Sequence, residues 1–319
     1  MIDKYSVVST IYNDTDEFFD LINDINNQSF LPSEIIVVDG GSSKENIEKV
    51  KSFIINSKIP VVYKIGERLN ISQGLNSAIR CSKTDYIMIA MVGNHYEKNC
   101  MQLLAERISK KNLDYAYCPF LGLDSNNFSA QYNKAFLNNN KGSFLNIASN
   151  HGVMINKHIF EKYGYFYENF IYAGEDAELY RKFLAEGVRG EIVEQAKVIW
   201  DTPHNWNELK KQIKNYTIGN MQLYNPVSLV LAEKKSIVYL FLFLFLFLSL
   251  FFKLYSFAFV FLFFIFTINF CVLFKYGLYP VILKNYMVFY KVKVYFLYNR
   301  FLRISYRVNE LNRYKGRFN

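Results

Sequence analysis

From Ser236 to Phe274 the chain is almost wholly Leu, Phe, Ile, Val and Tyr, with Lys253 the single charged residue. A block of that kind cannot be left in water, because removing apolar area from water is the main favourable term in folding. Residues 237–252 and 254–274 each approach the roughly 20 apolar residues that cross a bilayer. One helix of the combined length would be about twice the hydrocarbon thickness. Two helices joined by a tight turn near Lys253–Ser256 are therefore expected, either as two spans or as a re-entrant hairpin that dips in without crossing. Both flanks then lie on one side.

The charge is as unevenly placed as the apolar residues. Residues 275–319 carry ten Lys or Arg and one acid, Glu310, which leaves 27 basic and 27 acidic residues in 1–274. The net charge of +9 thus belongs to the tail. A basic catalytic surface for nucleic acid is not supported. Tyr286, Phe289, Tyr290, Tyr295, Phe296 and Tyr298 alternate with the tail's charges, a pattern suited to the anionic cytoplasmic leaflet. Cys81, Cys100, Cys118 and Cys271 have no metal-ligand spacing, and the first residues lack a secretory pattern. They read as reduced thiols of a cytoplasmic protein.

Residues 1–225 have a different texture. Short β-branched runs at Tyr5–Tyr12, Glu34–Asp39, Val61–Ile65, Tyr86–Met91, Tyr115–Leu121 and Glu191–Trp200 read as strands. Between them, Asp16–Asn27, Lys44–Asn56, Ser72–Ser82 and Asn99–Lys111 show helical spacing of apolar residues. Strand–helix alternation predicts an α/β fold, a mostly parallel sheet covered by helices, with ligands at the carboxyl ends of the strands. The expected organisation is a domain over 1–225, a membrane hairpin over 226–274 and a basic, aromatic-rich interfacial tail over 275–319.

Two carboxylate positions stand out. Asp39 ends the run EIIVV and begins Asp39-Gly40-Gly41-Ser42-Ser43, where the glycines allow close backbone approach and Ser42 or Ser43 can cap the next helix. Asp39 can accept hydrogen bonds from a nucleotide's base or ribose, or simply start a turn. Glu175 and Asp176 stand at a helix start, where the helix dipole favours negative charge whatever the function.

Taken in order, four segments resemble the family 2 glycosyltransferases, which have the Rossmann-like GT-A fold. They are SVVSTIYND with EIIVVDGGS; NISQGLNSAIRCSKTDYIMIAM; HGVMINKHIFEKYGYFYENF with GEDAELYRKF; and HNWNELKKQIKNYTIGN. The resemblance runs from about Tyr5 to Asn220. It implies a nucleotide-sugar donor, with Asp39 as the uracil or ribose contact. Thr10, Tyr12 and Gln73 join it in the nucleotide pocket. Asp176 takes the place of the general base, supported by Glu175, because an acceptor hydroxyl is a weak nucleophile until its proton is removed. Such members usually invert the anomeric centre in one displacement. Arg181, one turn on, can hold the Asp176 region or a phosphate. His151 lies in the loop that faces donor sugar and acceptor in relatives. His204 and Trp206 resemble acceptor-side or diphosphate contacts, with a cap and a core anchor as their bland alternatives.

One departure concerns the family's DxD motif, which holds a divalent metal on the donor diphosphate. It aligns with Met91-Val92-Gly93, followed by Asn94-His95. Met and Gly supply no hard side-chain oxygen for Mg or Mn. Asn94 and His95 can coordinate metal weakly, or the diphosphate can be held without metal by cationic and amide donors, or catalysis has been lost. Because Glu175-Asp176 is intact, a metal-weak or metal-independent enzyme is preferred. The leading expectation is a transferase at the inner face of the cytoplasmic membrane, acting on a lipid-linked or cell-surface glycan acceptor of the lipopolysaccharide or capsule type. An inactive nucleotide-sugar-binding partner and a membrane structural protein are the rivals.

Overall fold

The computed structural model describes residues 2–137, 147–170, 172–223, 234–276 and 278–297. Two compact units divide the chain. One is built from Met1–Leu123 and Asn140–Asp201, the other from Asp124–Asn139 and Thr202–Glu310.

The first unit is the expected α/β layer. Strands β1 (Ser6–Ile11), β2 (Glu34–Asp39), β3 (Val61–Ile65) and β4 (Tyr86–Ile89) run parallel. Crossovers α1 (Thr15–Asn26), α2 (Lys44–Ile54) and α3 (Ile71–Cys81) connect them. The sheet continues through β8 (Val153–Asn156), antiparallel to both β4 and β6 (Tyr115–Tyr117), and ends at β9 (Gly190–Ile192), in the order β3-β2-β1-β4-β8-β6-β9. A second sheet has the order β5-β10-β7, from β5 (Asn94–Tyr96), β10 (Val198–Trp200) and β7 (Phe120–Gly122).

Because side chains alternate along a strand, the central strands bury both faces. Val8, Ile36, Val38, Ile87, Ile89, Val153 and Ile155 share one core with Leu75 and Ile79 of α3. That core also holds Phe160 of α6 (His158–Tyr163) and Leu179 and Phe183 of α7 (Glu175–Ala185). On the other side, α4 (Cys100–Lys111) packs on β6 and β8. A Cβ at Gly74 would lie 2.4 Å from Thr10 Oγ1, so the glycine is what lets α3 sit this close to β1.

Boundaries differ where the sequence merged elements. The single runs Tyr115–Leu121 and Glu191–Trp200 are each split, into β6 and β7 and into β9 and β10. The two halves of each serve different sheets. Strand β8 fell in a segment read as a loop. Between β7 and β8, where the sequence pattern suggests no element, lies helix α5 (Asn127–Phe136), started by a capping box between Asn126 and Ser129. Cys81, Cys100 and Cys118 are free thiols; the side chain of Cys271 lies outside the described residues.

The second unit is helical: α5, α8 (Trp206–Leu223), α9 (Lys234–Phe251), α10 (Tyr255–Tyr276) and α11 (Leu278–Leu297). Helices α9 and α10 form the expected hairpin. Its turn falls at Lys253, whose φ of 58° is left-handed, while Leu254 N–H donates to the Ser249 carbonyl at 2.7 Å. Phe245 and Phe261 stack across the hairpin at 5.5 Å. Among the described residues, however, no helix is long and apolar enough to cross a membrane, so the expected pair of spans is not found. Helix α11 packs on α8, with Tyr286 and Trp206 ring centroids 4.7 Å apart. The basic tail beyond residue 297 lies outside the described residues.

Candidate active site

The carboxyl ends of β1, β2, β4 and β6 and the amino end of β8 share one edge of the large sheet, as their pairing directions require. Asp39 is the last residue of β2 and is fully buried. Its Oδ1 accepts from the backbone N–H of Gly41 at 2.8 Å and of Ser42 at 2.7 Å, and its Oδ2 accepts from the Tyr63 hydroxyl. Desolvation, and then the bond to Asp39, raise the Tyr63 pKa, so the phenol stays a donor. With no exposed surface on Asp39, the expected direct contact with base or ribose has no open face in this conformation. The carboxylate instead shapes the Gly40–Ser42 turn, and Ser43 caps α2 by accepting from Asn46 N–H.

Thr10 donates to the Val38 carbonyl at 2.8 Å, and Tyr12 beyond β1 is 59% exposed. Gln73 forms the capping box of α3: its Oε1 accepts from Asn70 N–H at 3.0 Å. Asn70 Nδ2 donates to the carbonyls of Glu168 at 2.6 Å and Phe170 at 3.0 Å. Helix α3 thereby fixes the strand of chain that leads into Gly174 and α7.

At the start of α7, Glu175 is buried and Asp176 half-buried. Asn150, just before β8, ties them to the sheet edge. Its Nδ2 donates to Glu175 Oε1 at 3.3 Å, its backbone N–H donates to Asp176, and its Oδ1 accepts from Tyr180 at 3.1 Å. Asp176 Oδ1 also accepts from Ala177 N–H at 2.7 Å. Burial raises both carboxyl pKa values, and for Glu175 the neighbouring Asp176 raises it further. Backbone donors and the Arg181 charge pull Asp176 back. The two carboxyls are thus divided: burial and the neighbouring Asp176 push Glu175 up to about 8, while backbone donors and Arg181 oppose the rise at Asp176. Three strand spacings separate β2 from β8, so Asp39 and the Asn150 clamp stand about 14 Å apart on one edge.

That division gives a sign for stability. A carboxyl whose folded pKa exceeds its unfolded value contributes fully below about pH 4.3 and loses that contribution as pH rises through the folded value. Glu175→Gln keeps the acceptor for Asn150 and removes the titration. Its melting temperature should gain on the parent steadily from about pH 5 upward. Parallel curves in thermal unfolding would show that Glu175 does not titrate abnormally.

The small sheet builds a second cluster. Asn94 is buried, and its Oδ1 lies 2.7 Å from His151 Nδ1 while its Nδ2 donates to the Met91 carbonyl at 3.1 Å. The imidazole packs against Phe120, 4.1 Å away by centroids, and Trp200, 5.1 Å away. Tyr96 braces the loop: its hydroxyl donates to the His151 carbonyl at 2.7 Å and accepts from Met91 N–H at 2.9 Å. Desolvation lowers the His151 pKa to about 4, so the ring is neutral at physiological pH.

Strand alternation separates the pair expected at the donor diphosphate. Asn94 meets His151, whereas the next residue, His95, points the other way and lies 3.5 Å from Asp24 Oδ2 of α1. The two cannot chelate one ion together. Met91 and Gly93 offer no side-chain oxygen, the Asn94 amide is engaged at both ends, and no three His, Cys, Asp or Glu side chains converge among the described residues. This donor set does not fit a hard divalent cation.

His204 and Trp206 belong to the helical unit. There His204 N–H donates to Glu208 at 2.8 Å and its carbonyl accepts from Asn126, while Trp206 packs edge-to-face with Phe128 and Tyr286. Sequence reasoning missed Asn150, Tyr63, Phe120 and Trp200 as builders of the edge. Their signal is spatial: Asn150 lies next to a candidate histidine but carries no periodicity of its own.

Residues 6–164 match the model of glycosyl transferase family 2, and residues 95–289 match that of glycosyl transferase family group 2. No curated protein matches the chain. Among solved structures, a mannosyltransferase from Pyrobaculum calidifontis, in complex with GDP-Man and Mn2+, superposes with a TM-score of 0.53 at 13% identity, over 67% of this chain and 62% of that one. S. aureus TarS is more remote: TM-score 0.47 at 16% identity, over 68% of this chain and 40% of that one. The TarS 1-349 complex with UDP-GlcNAc gives 0.48 at 14%, over 68% and 66%. This chain thus spans less than two thirds of the mannosyltransferase, and the likeness to it shows the GT-A fold alone. With the model of glycosyl transferase family group 2 covering more than half of the chain, this protein belongs to that family of glycosyltransferases.

Proposed function

We propose that the protein transfers a sugar from a nucleotide-sugar donor to a hydroxyl of a lipid-linked or cell-surface glycan, with inversion, at the cytoplasmic face of a membrane. The observation that carries this is the Asn150-clamped Glu175–Asp176 pair on the same sheet edge as the Asp39 turn. In this reading the donor lies along the edge, its nucleoside toward the Gly40–Ser42 turn with Thr10, Tyr12 and Gln73, and its sugar toward Asp176. Asp176 takes the acceptor hydroxyl's proton as that oxygen attacks the anomeric carbon, and the nucleoside diphosphate leaves from the opposite face. Glu175, neutral, keeps the neighbouring charge from doubling. Arg181 is the cation nearest this charge in sequence, one turn beyond Asp176.

The test is a panel of UDP-, GDP- and dTDP-sugars with detergent-solubilised protein, scored for transfer or donor hydrolysis. Binding without turnover would favour an inactive nucleotide-sugar-binding partner instead. Because the residues around Met91–Asn94 suit a metal-weak or metal-independent enzyme, chelating divalent cations should cost less than tenfold in rate; complete loss would reveal a metal site elsewhere.

We further propose the three-part organisation of 1–225, 226–274 and 275–319, with the hairpin inserted in the membrane. Its support is the apolar surface of the hairpin, where Phe247, Phe259 and Phe266 are 64%, 70% and 65% exposed. Apolar surface on this scale marks a membrane or partner face. Since α11 covers Trp206 on α8, a fragment ended at residue 225 would expose that face. Full-length protein should co-float with phosphatidylglycerol vesicles, and the triple variant Phe247→Asp, Phe259→Asp, Phe266→Asp should not. Equal flotation would take the hairpin out of the bilayer.

A further inference from the structure

The imidazole of His151 is held in one tautomer. Asn94 has two ends, and the Met91 carbonyl settles which is which: Nδ2 must donate to it, because the amide oxygen turned that way would face another acceptor. The Oδ1 is then the end that faces His151 Nδ1 at 2.7 Å, and an acceptor there requires Nδ1 to carry the hydrogen. With the ring neutral, Nε2 is left as a lone pair. Among the described residues it has no hydrogen-bond partner, and the residue is only partly buried.

An acceptor-only nitrogen excludes some ligands and selects others. Phosphate oxygens are themselves acceptors, so Nε2 cannot hold the donor diphosphate, the role a protonated histidine would play. A metal ion would suit the lone pair, but no second and third ligand of suitable type converge beside it among the described residues. A hydroxyl or amide N–H is what remains. Position narrows the choice further. His151 directly follows Asn150, the clamp of the Glu175–Asp176 pair, and meets Asn94 beyond the end of β4. That places it between the nucleoside end and the base end of the edge.

We propose that His151 Nε2 accepts a hydrogen bond from one hydroxyl, or acetamido N–H, of the transferred sugar, making His151 a specificity-determining residue and Asn94 the positioning residue that fixes its tautomer. This rests on the glycosyltransferase reading above. The Asn94 hydrogen bond at Nδ1 and the ring contacts with Phe120 and Trp200 orient the imidazole, so the lone pair has a fixed direction. A fixed acceptor rewards one hydroxyl position and leaves an unpaired group when that hydroxyl is missing.

The experiment uses full-length protein in detergent. Nitrogen-15 NMR of the histidine rings reads the tautomer directly: His151 should show hydrogen on Nδ1, and Asn94→Leu should give a mixture of tautomers. UDP-glucose, UDP-galactose, UDP-N-acetylglucosamine and GDP-mannose, with UDP and GDP as sugar-free controls, identify a donor. Its monodeoxy analogues are then compared in parent and His151→Phe. In the parent, one deoxygenation should cost about tenfold in kcat/KM, the size of one hydrogen bond. The variant should be indifferent to that same deoxygenation, and affinity for the sugar-free nucleotide should be unchanged. A merely structural histidine would lower both equally. If parent and variant lose alike at every position, or if the ring hydrogen is on Nε2, the inference falls while the transferase stands. Broadening of the His151 signals by Mn2+ would make it a metal ligand and overturn the inference. If no donor of the panel binds, both fall.

Discussion

Asp176→Asn is expected to lower the rate of sugar transfer by about 10²–10⁴-fold, the usual worth of a positioned general base. The substitution is nearly isosteric, and Asn Oδ1 can still accept from Ala177 N–H, the 2.7 Å bond that holds the parent carboxylate. Fold and nucleotide affinity should therefore survive, which separates loss of chemistry from loss of structure. The pH profile gives a second check. Burial raises the Asp176 pKa, so the parent's acid limb should lie above that of an ordinary aspartate, with activity lost as pH falls through it. Steady-state rates with the donor found in the panel decide the matter. A variant within a few-fold of the parent would remove Asp176 from the reaction and shift attention to Glu175.

The second large effect is at the other end of the edge. Asp39→Ala strips the acceptor from two backbone N–H groups and from the Tyr63 hydroxyl, all at a buried site. Unmet buried donors cost about 1–3 kcal/mol each, and not additively, so a loss on the order of 3–5 kcal/mol is expected. Thermal unfolding should show a midpoint lower by about 10 °C. Nucleotide affinity should fall at least tenfold, because the Gly40–Ser42 turn loses the carboxylate that shapes it. Asp39→Asn is the informative companion: its Oδ1 can still serve Gly41 and Ser42, so most affinity should return. If Asp39→Ala binds nucleotide as the parent does, the turn is no part of the donor site.

Much of this could be read along the chain. The limits of β2 and β3 match the β-branched runs to the residue, and β2, buried along its whole length, carries the near-continuous apolar series such a strand needs. Helix α3 was visible from its apolar spacing, and Asn70 with Gln73 formed the capping box that starts it. The hairpin turn was marked by Lys253 within an otherwise apolar block. Asp39 and Glu175-Asp176 were legible as candidates because each sits at the end of a predictable element.

What the edge does with those residues was not legible. Asp39 and Tyr63 are 24 residues apart, Asn150 and Glu175 are 25 apart, and Asn94 and His151 are 57 apart. Contacts at such separations leave no periodic trace, since periodicity records only which face a residue presents to its own element. The three-residue strands of the small sheet are too short to announce themselves, and they decide which way Asn94 and His95 point. The sequence by itself determined the four parallel strands with their crossover helices, the apolar hairpin and the positions of three carboxylates. Only the tertiary structure decided that one of those carboxylates is sealed into a turn, that Asn150 donates to Glu175, and that a histidine is held against Asn94. Local backbone preferences act over a few residues, whereas hydrogen-bond partners and desolvation are set by whatever the fold brings alongside.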